Sequence, residues 1–470
     1  PNVVLFVVDT LRADHTGLGG GGLVTTPALD AARARRATTF GQAWSGATST
    51  IASMKSLFTS ASPSRWGFEG AGKLAPPADA WTVPRAMQAR GFRTAGFSAN
   101  ALLRKPGFYD GFDRFFALGG LDVLDDSYLL GELLCRNDSM AKWELADLLR
   151  IHKVAGQDVV GWSRDWMEAV GDEPFFLYVH ILDPHWPYHE RGYDLIPRDL
   201  PGFARRFSYL DFMQDPELVL DQDEPGLREM VGRYDEEIRL ADDVFASMMD
   251  LLQEQGVAEE TLVFFASDHG EAFFEHGVYG HGGNVYQEQS HVPLVVFWPE
   301  APFGRYGEML SEPPARVDVP VSLLDLAPTL ADLFDLSRPA AGFEGRSLLP
   351  LLDGDPSGPR PVITESFTPN YGRAGYREGD WMTWIQFSRG SSPLDTEDVE
   401  VFDLARDPGQ QAAIVPSDPE VRDFAQRARM ALHERWLRWP DRAEVAESSP
   451  AETPEEQLVL DQLRALGYVD

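Results

Sequence analysis

Carboxylate and imidazole side chains follow three apolar runs of the sequence, at points where buried strands would end. Asp268 and His269 follow LVFFAS, and Asp9 follows PNVVLFVV. The run PFFLYVHI ends in a further group: His180, Asp183 and His185. For Asp268 and His269 alone, the simpler interpretation is an aspartate that caps the next turn beside a hydrogen-bonded histidine. Three such endings favour a shared site, because parallel strands end at one edge of a sheet. Buried charges are also costly unless they are paired or bind a metal ion.

The simplest role for these side chains is to bind a divalent metal ion. Asp9, Asp268 and His269 would give three protein ligands and an open position, which is typical of catalytic sites. Mixed oxygen and nitrogen donors suit Zn²⁺ or Mn²⁺ better than Ca²⁺. The open position would take an oxygen nucleophile, and SGATSTIASMKSLFTS, residues 45–60, offers hydroxyls at a predicted helix start, where negative charge is favoured. For Thr48 and Ser49, plain N-capping is the preferred interpretation.

The surrounding pattern predicts the elements that would position this site. Apolar strands alternate with helices over residues 1–353, which predicts an α/β catalytic domain with a mostly parallel sheet between helical layers. From residue 354 the sequence is polar and rich in turns. Strands expected over 362–366, 381–388 and 399–403, with a helix over 418–436, predict a smaller domain with an antiparallel sheet over 354–470.

Composition disfavours several classes of function. The 470 residues include 41 Lys and Arg against 74 Asp and Glu, a net charge of −33. Such a charge disfavours nucleic acid and anionic membranes as partners. No apolar run approaches the roughly 20 residues of a membrane-spanning helix. The single cysteine, Cys135, excludes an intrachain disulfide and is predicted to be a packing residue, and the glycine-rich loop at 17–22 lacks the nucleotide-binding patterns.

Several segments together resemble the sulfatase branch of the alkaline phosphatase superfamily, over nearly the whole chain. PNVVLFVVDTLRAD resembles its opening strand and first metal ligand, and SLFTSASPSRWGF and FLYVHILDPHWPYH resemble its SLFTG and DPH segments. The strongest match is SDHGEAFFEHGVYGHGGNVYQEQSHVPLVVFWP. REGDWM, VFDLARDPGQQ and RALGYV resemble its C-terminal signatures. The resemblance implies an alkaline-phosphatase-like three-layer sandwich with a small C-terminal domain.

The resemblance also implies roles for single residues. The positions of the metal ligands fall on Asp9, Thr50, Asp268 and His269, and Thr50 also holds the position of the nucleophile. His185 and His281 match positions that bind the anionic group of the substrate, where one of them would also protonate the leaving oxygen. His180 is assigned with them to substrate binding. Arg12 matches the arginine of the opening motif and is assigned to catalysis.

Departures from the family pattern shape the expected reaction. Sulfatases carry a Cys or Ser that is converted to formylglycine, whereas Thr50 cannot be oxidised to that aldehyde, so no formylglycine is expected. Thr10 stands in place of an aspartate and His269 in place of an asparagine, and both changes favour Mn²⁺ or Zn²⁺ over Ca²⁺. The motif's Pro and Arg are Ala52 and Met54. We therefore predict a metal-dependent hydrolase or transferase of phosphate or phosphonate esters, with Thr50 as nucleophile.

Two other functions stay open. One is a sulfuric ester hydrolase without formylglycine, and the other is a non-catalytic protein that binds ligands in the same cleft. One metal is preferred over two, although Asp183 with His185 or His189 could supply part of a second site. The expected partner is a small anionic ester, and the segments 122–170 and 192–225 carry no motif that names it. The resemblance implies a periplasmic or extracellular location. Because the sequence begins at Pro1 rather than Met, we expect that an upstream segment was removed or left out.

Overall fold

Strands and helices alternate along the part of the chain that the computed structural model describes, residues 1–19, 24–66, 75–117, 154–200, 218–300, 310, 312–354, 360–368, 371–388, 392–396, 398–414 and 418–438. The strands are Asn2–Val8 (β1), Ala37–Phe40 (β2), Ala43–Trp44 (β3), Arg93–Ser98 (β4), Arg114–Ala117 (β5), Phe175–Ile181 (β6), Thr261–Ser267 (β7), Ala272–Phe273 (β8), Tyr279–Gly280 (β9), His291–Val292 (β10), Leu294–Phe297 (β11), Arg316–Val317 (β12), Val321–Ser322 (β13), Val362–Phe367 (β14), Tyr371–Glu378 (β15), Trp381–Ser388 (β16) and Val399–Asp403 (β17). The α-helices are Pro27–Ala32 (α1), Thr50–Thr59 (α2), Val83–Ala89 (α3), Gly156–Val170 (α4), Pro225–Glu254 (α5), Gln287–Ser290 (α6), Leu326–Phe334 (α7), Leu349–Leu352 (α8) and Pro419–Trp436 (α9).

An eight-stranded sheet in the order β12-β2-β11-β7-β1-β6-β4-β5 forms the centre of the protein. Strand β1 pairs in parallel with both β6 and β7, and β4 pairs in parallel with β6. Strand β11 runs antiparallel to its neighbours β7 and β2. Every residue of β1, β6 and β7 is buried, as expected for strands covered on both faces. The prediction of a mostly parallel sheet is therefore confirmed.

Helices cover both faces of this sheet, because alternate side chains of each strand point to opposite sides. Val4, Phe6 and Val8 of β1 pack with buried residues of α4 and α5. Val3, Leu5 and Val7 pack on the other side with buried residues of α2, α3 and α7. The result is the three-layer α/β sandwich that the sequence predicts.

A second sheet lies towards the C-terminus. Strands β14 to β17 form a four-stranded antiparallel sheet, and α9 packs on it through Phe424, Ala428 and Leu432. Strand β14 also contacts the segment between β3 and α2, where Thr364 Oγ1 donates a hydrogen bond to Ser45 O (2.6 Å). The antiparallel sheet with one packed helix is thus confirmed, while the division at residue 353 stays a prediction.

Three expectations for local structure differ from the structure. Strand β15 has no counterpart among the strands predicted for the C-terminal part. The pattern of residues 321–335 predicts a helix, but this segment begins as the short strand β13 and a 3₁₀ turn, and α7 starts only at Leu326. The apolar run VPLVVFW, residues 292–298, predicts one strand, whereas this segment belongs to two sheets through β10 and β11. Cys135 and most of the segment 122–170 lie outside the described residues.

Candidate active site

The ends of β1, β6 and β7 bring the predicted metal ligands together at one edge of the sheet. In the register of these strands Val8 lies beside Ile181 on one side and Ser267 on the other, so Asp9 and Asp268 follow at the same level. His180 lies one residue before the end of β6. Asp9, His180, Asp268 and His269 are all fully buried.

The two carboxylates at this edge keep oxygen atoms without hydrogen bonds. Asp268 Oδ1 accepts hydrogen bonds from the backbone amides of Thr10 (3.2 Å) and His269 (2.8 Å). Asp268 Oδ2 and Asp9 Oδ1 make none. Buried acceptors without partners are costly, so a cation is the natural occupant of the space that they face.

The ring of His269 supports a cation at the same place. Its Nδ1 lies 2.9 Å from Gly270 O. A carbonyl oxygen only accepts, so Nδ1 carries the proton and the lone pair of Nε2 faces Asp268 Oδ2 at 3.5 Å and Asp9 Oδ1 at 3.9 Å. Three acceptors facing one another repel unless a positive charge lies between them. The buried donor set therefore fits a divalent metal ion.

The protonation behaviour of these groups agrees with that interpretation. Burial and the neighbouring Asp9 raise the pKa of Asp268 to about 7. Burial opposes ionisation of Asp9 too, but the adjacent histidines 180, 185 and 269 outweigh it and lower its pKa. Burial and the nearby His281 lower the pKa of His269 to about 4, which keeps its imidazole neutral. A bound divalent cation would let both carboxyl groups stay ionised beside a neutral imidazole.

His180 belongs to the same cluster. Ligand atoms of Asp9, His180 and Asp268 lie within 4.8 Å of one another, so these three side chains could also hold a metal ion. The sequence assigns His180 to substrate binding, whereas its Nε2 lies 3.3 Å from Asp9 Oδ2 and 4.0 Å from Asp268 Oδ2.

Thr50 begins helix α2 beside this cluster. Its Oγ1 lies 3.4 Å from His269 Nε2, and the side chain is buried at the positive end of the helix dipole. The capping role expected for Thr48 and Ser49 is wrong. Ser49 is the N-cap but makes no side-chain capping hydrogen bond, and Thr48 Oγ1 donates to Asn284 O instead (2.9 Å).

His185 and His281 lie side by side next to the cluster. Their ring centroids are 5.2 Å apart, and the ring of His281 lies 4.5 Å from that of His269. Burial lowers the pKa of His185. Burial acts on His281 as well, but Glu271, whose Oε1 is 2.8 Å from its Nδ1, outweighs burial and raises the pKa of His281. The pair thus combines a neutral imidazole with one that holds a proton more tightly.

The carboxylates that pair with Arg12 are not those of Asp9 and Asp268. Its guanidinium forms ion pairs with Asp14 (2.7 Å) and with Glu275, and it donates to Glu271 O (3.1 Å). These contacts brace the segment that carries Glu271. The catalytic role assigned to Arg12 stays a prediction.

Three further histidines, in loops around the site, are paired with carboxylates. His15 Nδ1 lies 2.6 Å from Asp235 Oδ1, and His189 Nδ1 lies 2.8 Å from Glu237 Oε1. Both of these carboxylates belong to helix α5. His276 Nδ1 lies 2.9 Å from Glu288 Oε1. These pairings hold the loops around the site to the rest of the fold.

Two residues that the sequence-based assignment missed contact the site directly. Asn100 Nδ2 donates to Asp9 Oδ2 (2.8 Å) and lies 3.5 Å from Thr50 Oγ1, while its Oδ1 caps a 3₁₀ turn through Leu102 N (3.0 Å). Glu271 joins His281 to the hydroxyl of Tyr188 (2.8 Å). Asn100 could have been found by the rule that located Asp9, because it is the second residue beyond the end of a buried strand, β4.

Comparison with known proteins places this chain in the sulfatase branch of the alkaline phosphatase superfamily. The sulfatase family model matches residues 1–336, so the chain belongs to the sulfatase family. It is 25% identical to the steryl-sulfatase of Mus musculus over 94% of this chain and 83% of that protein. It is 24% identical to an arylsulfatase of Clostridium perfringens over 89% of this chain and 91% of that one.

The solved structure of a phosphonate monoester hydrolase from Agrobacterium radiobacter shares the fold. It superposes with a TM-score of 0.69 over 97% of this chain and 98% of that chain, at 20% identity. The protein is therefore a hydrolase of the sulfatase and alkaline phosphatase superfamily. Among the helices that the structure describes, none combines the length and apolar character needed to cross a membrane.

Proposed function

We propose that this protein cleaves or transfers phosphate or phosphonate esters by using Thr50 as a nucleophile in a metal-dependent site. The observation that carries the proposal is the position of Thr50 Oγ1 at the start of α2, 3.4 Å from a neutral His269 that faces two buried carboxylates. Asp9, Asp268 and His269 would hold a divalent metal, with Mn²⁺ or Zn²⁺ preferred over Ca²⁺ because a nitrogen donor takes part. Such an ion lowers the pKa of a bound hydroxyl and offsets charge on the group that is transferred.

The remaining roles in the reaction are assigned to side chains and backbone groups of this chain. The N–H groups at the start of α2 and the amide of Asn100 stabilise negative charge on Thr50 Oγ1. The hydroxyl proton of Thr50 is lost to solvent, and the resulting alkoxide oxygen Oγ1 attacks phosphorus. A new O–P bond forms, and the bond from phosphorus to the leaving oxygen breaks with its electron pair on that oxygen. His281 is placed to give the leaving oxygen a proton, and His185 to bind the anionic group. Water or an acceptor alcohol then gives a proton to His281 and attacks phosphorus, and the bond from phosphorus to Thr50 Oγ1 breaks with its electron pair on that oxygen.

Substitution at Thr50 tests this route. Thr50→Ala should abolish turnover of aryl phosphate mono- and diesters or phosphonates, while Thr50→Ser should retain part of it because the hydroxyl is kept. Ser49→Ala is a matched control, because that neighbouring hydroxyl makes no capping hydrogen bond. Turnover of these esters by Thr50→Ala with unchanged metal content would overturn the covalent route.

A sulfuric ester hydrolase is the second candidate, favoured by relatives named steryl-sulfatase and arylsulfatase. The presence of Thr50 disfavours sulfate ester hydrolysis by the usual route, because threonine cannot be oxidised to the formylglycine aldehyde. The substrate series should therefore include aryl sulfates. Turnover confined to sulfates would favour this second function, and the absence of both metal and turnover would favour a protein that only binds ligands in the cleft.

A further inference from the structure

His180 lies deeper in the site than the histidines assigned to the substrate. It is fully buried within β6, and its neighbours in the sheet are Val7 of β1 and Ser98 of β4. Its Nε2 makes no hydrogen bond, although it lies 3.3 Å from Asp9 Oδ2 and 4.0 Å from Asp268 Oδ2. A buried nitrogen in this position, next to two carboxylates with unpaired oxygens, has the chemistry of a metal ligand.

The other ring nitrogen of His180 is fixed by a neighbour on the same face of β6. Tyr178 Oη lies 2.7 Å from His180 Nδ1. When Nδ1 carries the proton and donates to Tyr178, Nε2 presents its lone pair to the carboxylates. Histidines that bind metals usually donate their second ring N–H to a fixed acceptor in this way. Tyr178 therefore orients the ring of His180 towards Asp9 and Asp268.

The electrostatics disfavour the alternative that His180 binds the substrate. An anionic ester that reached Nε2 would have to lie against Asp9 and Asp268, and both carboxylates would repel it. His185 and His281 offer imidazoles beside the cluster instead. Thr10, which follows Asp9, has no carboxylate to offer a metal ion, so the histidines are the remaining candidates for further ligands. Thr10 Oγ1 is buried without a hydrogen bond.

We propose that His180 is a metal ligand, which gives the ion two carboxylates, from Asp9 and Asp268, and two imidazoles, from His180 and His269. The assignment rests on the proposed function, because it concerns the same metal. Two nitrogen donors favour a divalent transition metal, whereas Ca²⁺ prefers six to eight oxygen ligands. His180 thereby becomes a determinant of metal selectivity rather than of substrate binding.

Pulsed electron paramagnetic resonance of the Mn²⁺-loaded full chain tests this assignment, because it counts the imidazole nitrogens coupled to the ion. We expect two coupled imidazoles in the wild type, one in His180→Gln and one in His269→Gln. His185→Gln is the matched control, a buried histidine at the same edge, and should keep both. Titration calorimetry with Mn²⁺ and Zn²⁺ should show that His180→Gln weakens binding by more than the about 10–100-fold typical of losing an outer partner, which is the effect expected for Tyr178→Phe.

The possible outcomes separate this proposal from the proposed function. One coupled imidazole in the wild type, or two in His180→Gln, would overturn the ligand role of His180 and leave the Thr50 route untouched. Turnover by Thr50→Ala would overturn the covalent route and leave the imidazole count unaffected. Wild-type protein that binds neither Mn²⁺ nor Zn²⁺ would overturn both. Circular dichroism of each variant establishes that it is folded before its metal affinity is compared.

Discussion

At the scale of single residues, the site is a set of acceptors that needs a positive charge. Asp9 Oδ1, Asp268 Oδ2 and the lone pair of His269 Nε2 face one another in a fully buried space. Asn100 adds a donor between this set and Thr50, because its amide contacts Asp9 Oδ2 and lies near Thr50 Oγ1. We infer that the amide holds the nucleophile in place and offsets charge as that charge develops.

Substitutions at Asn100 separate this role from its structural one. Asn100→Asp keeps an oxygen that can cap Leu102 N but removes the N–H donors, whereas Asn100→Ala removes both. We expect kcat to fall by about 10²–10³-fold in both variants, as when an oxyanion donor is lost. Only Asn100→Ala should lose about 1 kcal/mol of unfolding free energy through the missing cap. Wild-type kcat in Asn100→Asp, measured at equal metal content, would assign Asn100 to capping alone.

Sequence reasoning located some of these residues and missed others for a physical reason. Asp9, Asp268 and His269 could be brought together because apolar runs show where buried parallel strands end, and those ends meet. Glu271 could not, since its role depends on how a loop returns to place His281 and Tyr188 on either side of it. The depth of His180 was also hidden, because the sequence does not show which side chains at a strand end face inwards.

At the scale of elements, the turn after β7 brings two backbones into close contact at Gly270. A Cβ at Gly270 would lie 2.1 Å from Glu288 O, the carbonyl of the short helix α6. Gly270 also supplies the carbonyl that holds His269 Nδ1. The glycine of the SDHG motif thus allows the strand end, α6 and the imidazole to share one small space.

Replacing Gly270 by alanine should disturb metal binding as well as stability. We expect Gly270→Ala to lose about 1–3 kcal/mol of unfolding free energy from overpacking, and to bind Mn²⁺ more weakly because His269 shifts. Gly283→Ala is the control, since a Cβ there would have no neighbour within 4 Å. Calorimetric titration and denaturant unfolding measure both effects. Equal metal affinity in the two variants would contradict the proposed coupling.

A second element, the loop between β8 and β9, is tied to the C-terminal part through His276. Its Nδ1 lies 2.9 Å from Glu288 Oε1 and its Nε2 lies 2.9 Å from Gln410 O, and the ring stacks on Tyr286 at 3.7 Å. Both partners are acceptors, so both nitrogens donate only when the ring is protonated. Burial opposes that charge, but Glu288, with Glu275 nearby, outweighs burial and raises the pKa of His276.

The raised pKa of His276 predicts a pH-dependent contribution to stability. The contact contributes fully below the ordinary histidine pKa of about 6.5 and loses its contribution as the pH rises through the higher pKa of the folded state. The difference in unfolding free energy between wild type and His276→Gln should therefore shrink as the pH is raised from about 6 to about 8. Denaturant unfolding at several pH values measures it, and a difference independent of pH would contradict the charged contact.

Some strands could be predicted from the sequence, and others could not. The strands β1, β6 and β7 around the site stood out because most of their residues are apolar. Strand β15 did not, since Gly372, Gly375 and three charged residues, Arg373, Arg377 and Glu378, break its alternating pattern. It is held in place by hydrogen bonds to β14 and β16 on either side. The pairing partners, which a local pattern does not contain, decide its structure.

At the scale of the whole molecule, a net charge of −33 surrounds a site that must bind an anion. The overall field repels such a substrate, so the metal and the histidines have to attract it locally. Raising ionic strength from about 0.01 to 0.15 M shortens the screening length from about 30 to about 8 Å, which weakens the distant repulsion more than local contacts. The site is thus expected to work better in salt.

The dependence of KM on salt tests this balance. We expect KM for an anionic aryl ester to fall on the order of two-fold or more over that range of ionic strength, while kcat stays constant. Sodium chloride and a second inert salt should act alike if screening is the cause. A rise in KM with salt would mean that a local positive field dominates the approach of the substrate.

At the same scale, a change in sequence character near residue 354 predicts two parts of the molecule, and the structure shows hydrogen bonds between the segments on either side of it. Ser366 Oγ of β14 donates to Gly282 O (2.6 Å), next to His281. Glu365 accepts hydrogen bonds from the backbone (2.7 Å) and side chain (2.8 Å) of Ser64. The C-terminal sheet therefore supports the loop that carries His281, a relation between distant segments that local sequence patterns do not reveal.

The central claim, that Thr50 attacks the ester in a metal-dependent site, is tested most directly by the turnover of Thr50→Ala at a metal content equal to that of the wild type. The account predicts that turnover of aryl phosphate or phosphonate esters falls on the order of 10⁴-fold or more, as when other enzymes lose their nucleophile. It also predicts a phosphorylated Thr50 peptide in acid-quenched wild type and none in the variant. Turnover within about ten-fold of the wild type, a difference of about 1.4 kcal/mol in the barrier, would contradict the claim.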